Sequence, residues 1–161
     1  MSSTAANQNR TVPGFTCTPW DEAGLSELIV SGRSLEQVME GALAGLILVL
    51  KPQSMPEALA PKSTRIRGEG RDAGTLSIDL AKSLFAELDA LGVIPVEFTI
   101  DGLVRSERGF VGWASISVVN LQPDQKMTFP GLEIVYQRNE KNDYELGLRL
   151  QRTTPPTLSR S

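Results

Sequence analysis

Histidine is absent from this chain of 161 residues, and cysteine occurs once. The first absence excludes imidazole acid–base chemistry, the Ser-His-Asp and Cys-His arrangements, and every histidine-containing zinc site. The second excludes an intramolecular disulfide and any multi-cysteine metal site, and suits a reducing cytosol. Cys17 itself reads as a small apolar residue at a strand edge. Long apolar runs are missing too. The longest, Ala42 to Leu50, falls far short of the roughly 20 residues that cross a bilayer. Residues 1–10 are polar and lack the apolar centre of a secretory signal. A net charge of −3 gives no whole-surface attraction to nucleic acid. Carboxylates, Ser/Thr and Lys are the catalytic groups that remain, so we expect a cytoplasmic, non-enzymatic protein without membrane or direct nucleic-acid contact.

What the chain does contain suits one ordinary globular domain, with 40% hydrophobic and 22% charged residues. Residues 1–12 read as a flexible arm, 13–152 as a single domain, and 153–161, with Pro155-Pro156, as a flexible tail. Ser34 stands at an N-cap position with Gln37 three residues on, the spacing of a capping box. Leu35, Val38, Met39, Ala42, Leu43, Leu46 and Ile47 follow at the three-and-four spacing of one buried helical face, predicting a helix to Leu50. Pro52, Pro56 and Pro61 then make a stiff loop, and Thr64–Arg67 a short exposed strand. Leu80, Ala81, Leu84, Phe85, Leu88 and Leu91 predict a second helix over about 75–91, stopped by Gly92.

Elsewhere the period is two. Leu25–Ser31 reads as a strand. Val96, Phe98 and Ile100 alternate with polar residues, as do Leu132, Ile134 and Tyr136, and Tyr144, Leu146, Leu148 and Leu150. Phe110–Val119 is a long strand in which Trp113 reads as core. Short connections at Asp101-Gly102, Gln122 to Gln125 and Asn139 to Asn142 suit antiparallel pairing, because parallel strands need long crossovers. The expected class is α+β: two helices packed on one face of a largely antiparallel sheet.

Three places carry candidate chemistry. Gly68-Glu69-Gly70-Arg71-Asp72-Ala73-Gly74 satisfies G-x-G-x-x-A ahead of a helix, so Gly68, Gly70 and Arg71 are candidates for binding a nucleotide or phosphate. A glycine-rich turn before a helix explains the same residues. Arg65, Arg67, Arg71, Arg105 and Arg108 form a basic set at one sheet end, without the interleaved aromatics of a nucleic-acid surface. Trp20, Asp21 and Glu22 join an aromatic to paired carboxylates just before the first long strand, a candidate partner-binding point. Asp21 is also the one candidate for a divalent cation.

Gly32-Arg33-Ser34-Leu35-Glu36, the helix from Leu80 to Leu91 with the strand from Val96 to Asp101, and Gly131-Leu132-Glu133-Ile134 together resemble the archease family. The resemblance runs from about Phe15 to Arg152. Archeases are small proteins that assist RNA-splicing ligases, so it implies an archease-like fold and a protein partner such as an RNA ligase. The departures fall on the family's metal ligands. Leu25 stands at the first aspartate, Pro130 at the late histidine, Ile116-Ser117 at the Gly-Glu pair, and Leu148-Arg149-Leu150-Gln151-Arg152 carries no acid. The resemblance thus implies an accessory role and no bound metal or other cofactor. The alternative reading is a small nucleotide- or phosphate-ligand-binding domain using the 68–74 loop.

Overall fold

The first helix begins where its capping residues place it. In the computed structural model, which describes residues 14–50, 62–121 and 128–152, α1 runs Leu35–Leu50. Ser34 Oγ accepts the Gln37 N–H at 3.2 Å, while the Gln37 side-chain oxygen accepts the Arg33 N–H at 2.7 Å. The return bond therefore lands one residue upstream of the capping-box position. Helix α2 (Ala73–Leu91) is boxed by Asp72 and Thr75, each side chain accepting the other's backbone N–H. It stops at Gly92, which takes the left-handed conformation that a side chain would disfavour.

Among the described residues seven strands surround this pair: β1 (Phe15–Cys17), β2 (Leu25–Gly32), β3 (Lys62–Gly70), β4 (Val93–Ser106), β5 (Gly109–Asn120), β6 (Gly131–Glu140) and β7 (Asp143–Gln151). Every pairing is antiparallel, and the class is α+β. The expected single sheet is in fact two, ordered β1-β2-β7-β6 and β3-β5-β4. Alternation fixes which side of a strand is wet, but not which strand lies beside it. The β2–β7 pairing, which joins the two ends of the domain, leaves no local trace in the sequence.

Each helix serves both sheets. Met39, Leu43 and Leu50 of α1 join Leu76, Leu80, Leu84 and Leu88 of α2 over Ile66, Ala114, Ile116 and Val118 of the three-stranded sheet. Leu35, Val38, Ala42 and Leu46, with Ala73 and Ala81, pack instead on Leu28, Val30, Leu146, Leu148 and Leu150 of the four-stranded one. Among the described elements no strand of one sheet meets a strand of the other along its backbone, so the helices hold the two together. Close approach depends on glycine. A methyl at Gly41 would stand 2.5 Å from Val30 Cγ1, and one at Gly45 would strike the Leu28 side chain.

Two local expectations are corrected. Asp101-Gly102 is not a turn: β4 runs through it with a register shift between Ile100 and Gly102, and the chain reverses after Ser106. Trp113 alternates outward from buried Gly112 and Ala114, lies half-buried beside Gly102, and is not core. The Asn139–Asn142 turn forms as expected, with Asn142 at φ 62°. The expectations for residues 1–12, for the Pro52–Pro61 loop, for Gln122–Gln125 and for the tail at 153–161 lie outside the described residues.

Gly45→Val tests the contact directly, because its new methyls meet fully buried Leu28. It is expected to cost about 1–3 kcal/mol and to lower the melting temperature by roughly 2–4 °C for each kcal/mol. Gly131→Ala, whose methyl meets only the Gln151 carbonyl oxygen at an ordinary 3.9 Å, serves as a neutral control in the same thermal melts.

Candidate functional site

The turn between β1 and β2 is built around a carboxylate. Asp21 Oδ1 accepts the N–H groups of Ala23 at 2.8 Å and Leu25 at 2.9 Å, while the Asp21 N–H donates to the Leu25 carbonyl. This self-bonding arrangement is what aspartate brings to tight turns. The Arg152 N–H, just past β7, donates to the Gly24 carbonyl at 2.9 Å. Its guanidinium lies 4.7 Å from the centre of the Trp20 ring, a cation–π contact, and Trp20 rests against the core beneath the four-stranded sheet. Glu22 is exposed and has no ion-pair partner among the described residues. The fold therefore brings Trp20, Asp21 and Glu22 into one rigid corner.

Beside this corner lies an open cleft of about 360 Å³, lined by Thr18, Pro19, Asp21, Leu25, Ser26, Glu27 and Arg149. Register sets Glu27 opposite Arg149, and Arg149 opposite Glu133 on the next strand. The Arg149 guanidinium approaches Glu133 to 3.5 Å. Two further cross-strand rows follow on the same outer face: Ile29, Gly147 and Tyr136, then Ser31, Glu145 and Arg138. Tyr136 lays its ring across Gly147, where a side chain would collide with it. Desolvation by that packing, and then the neighbouring Glu145 carboxylate, push its phenol above the ordinary tyrosine value. Sequence reasoning missed Glu27, Glu133 and Arg149, because a row across three strands exists only once register is known.

A divalent cation does not fit the Asp21 corner. One carboxylate oxygen already accepts two N–H bonds, and the cationic Arg149 lines the same cleft. Among the described residues no three His, Cys, Asp or Glu side chains converge as a metal site.

The glycine-rich segment has a different structure from the one its pattern suggests. Gly68 and Gly70 belong to β3, opposite Gly112 and Phe110 of β5. A methyl at Gly68 would stand 2.7 Å from the Leu80 backbone nitrogen, and one at Gly70 would strike the backbone at Leu76 and Thr75. These glycines admit α2 against the strand. The amides that would cradle a phosphate are also bonded within the protein: Ala73 N–H to Asn139 Oδ1, Gly74 N–H to Gln137 Oε1, and Thr75 N–H to Asp72 Oδ1. Of the five arginines, Arg65 pairs with Asp101 and Arg67 with Glu69. Arg71 and Arg108 line a shallow cleft of about 210 Å³ with Ser106 and Phe110, and Arg105 stacks on the Phe110 ring at 5.6 Å.

If Asp21 acts as the turn's hydrogen-bond acceptor, Asp21→Asn keeps an acceptor oxygen and is expected to melt close to wild type. Asp21→Ala gives both N–H groups over to water and loses about 0.5–1.5 kcal/mol for each bond in denaturant unfolding. Millimolar calcium or manganese is expected to leave the melting temperature of all three proteins unchanged, since a cation bound to the folded state would raise it.

No protein-family model matches the chain, and no curated protein matches it. Among solved structures it is similar to protein 1598 of Methanobacterium thermoautotrophicum, known from a solution structure, with a TM-score of 0.58 and 15% sequence identity. The match covers 84% of this chain and 97% of that one. At this identity the likeness shows the fold alone: the chain shares the α+β architecture of that protein.

Proposed function

We propose that this protein is an archease-like accessory protein that acts on a partner, such as an RNA-splicing ligase, by contact and not through chemistry of its own. The observation that carries this reading is the corner at the end of the four-stranded sheet. Trp20 is clamped between the core and Arg152, Asp21 is locked in its own turn, and Glu22 projects with no partner among the described residues. An aromatic already held in place beside an unneutralised acid is a surface that binds at a reduced ordering cost. The cleft side chains beside it are already occupied by the fold, Asp21 with backbone N–H groups and Arg149 with Glu133, which suits holding better than proton transfer. Glu22 is the residue we expect to face a basic group on the partner.

The test is multiple-turnover RNA ligation by the splicing ligase of the same organism, with and without this protein. The expected result is more turnovers per ligase. Glu22→Lys should weaken that stimulation roughly tenfold, the effect of placing like charges across an interface. A ligase unaffected by the folded wild-type protein would end the proposal.

A further inference from the structure

Sheet edges present unpaired N–H and C=O groups, and proteins block those that are not meant to pair. Among the described residues two sheets leave four edges, and three of them are blocked. β1 is only three residues long. β3 carries Lys62, Arg65 and Arg67, and α2 lies along it, with the Arg67 N–H reaching Ser83 Oγ and the Glu69 N–H donating to Asp79 Oδ2 at 2.8 Å. β4 holds Pro95, which has no N–H to offer a further strand. The fourth edge, β6, spans ten residues with no proline and no lysine, and pairs only with β7 among the described strands. Its centre shows Val135 at 42% and Tyr136 at 43% exposure, two residues that favour strands.

We propose that β6 is a pairing edge for a second copy of this chain, joined antiparallel about a twofold axis between Val135 and Tyr136. The strand's own charges carry the choice of occupant. In that register Glu133 of each copy lies opposite Arg138 of the other, and the exposed Val135 lies opposite Tyr136. Five residues normally separate side chains onto opposite faces of a strand. Here the register shift between Ile134 and Tyr136 restores them to one face. Glu133 reaches Arg149 and Arg138 reaches Glu145, and both of those β7 residues point outward. Leu132, Ile134 and Gln137 turn to the helix side, where the Gln137 side chain accepts the Gly74 N–H. The bulge thus gives β6 one outer face that is complementary in charge to itself when reversed. A twofold contact requires that property.

The experiment is sedimentation equilibrium of the full chain across a concentration series, with far-UV circular dichroism to show that each variant is folded. The wild type is expected to reach twice the chain mass. Glu133→Arg alone and Arg138→Glu alone each set two like-charged pairs across the axis and should weaken the dimer roughly tenfold or more. These residues sit in exposed ion pairs, which add little to folding, so the variants keep the fold. An equimolar mixture of the two variants should recover the doubled mass, because each supplies the charges the other needs. A wild type that stays at one chain mass overturns the proposal, even if its β6 edge takes up an extended peptide instead. A dimer untouched by either reversal, or reversals that the mixture fails to rescue, overturn it as well.

Discussion

Everything in this fold hangs on two helices that are apolar on two sides. A helix on a single sheet needs one stripe, about a third of its surface, and leaves the rest to water. Here α1 gives Met39 and Leu43 to one core and Val38 and Leu46 to the other, and α2 divides its residues in the same way. Among the described strands the sheets meet only through the side chains of Leu103 and Phe110, which reach both cores. Glycines at Gly41 and Gly45 on one side, and at Gly68 and Gly70 on the other, set the spacing. Both sheets must therefore be seated on the same helix pair at once.

That arrangement places the functional surfaces. The inner face of each sheet is consumed by the helices, so recognition falls to sheet ends, outer faces and edges. The Trp20–Glu22 corner lies at one end of the four-stranded sheet, tied to β7 through Arg152 and to the core through the Trp20 ring. The arginine turn, with Arg71 and Arg108, closes an end of the three-stranded one. The outer face of the four-stranded sheet carries the rows of paired charge, which end at the β6 strand.

Local chemistry was legible in the sequence, and long-range chemistry was not. The span of α1 follows from Ser34, Gln37 and the spacing of its leucines, and the stop of α2 from Gly92, because capping and periodicity act over a few residues. The Asn139–Asn142 turn could be read for the same reason. The division into two sheets could not, since nothing near Leu28 names Leu148 as its neighbour. Asp101-Gly102 carried the composition of a turn, yet tertiary pairing with Trp113 drew it into a bulged strand. Gly68 and Gly70 show how a motif misleads: the pattern was real, but its glycines serve helix packing. At the candidate corner Trp20, Asp21 and Glu22 stood out as an aromatic with two acids. Their neighbours Glu27, Arg149 and Glu133 come from three strands and could be grouped only by register.

One helix pair couples two cores that otherwise share only the side chains of Leu103 and Phe110 among the described strands. Native-state hydrogen exchange measures that coupling most directly, comparing the amides of Leu148 in β7 with those of Ile116 in β5. Both residues are buried, one beneath each sheet. A coupled structure predicts that both amides exchange only on global unfolding, with the same opening free energy, and that Leu46→Ala, though it faces one sheet, lowers both equally. Separate opening free energies, with Leu46→Ala affecting Leu148 and sparing Ile116, would contradict the account.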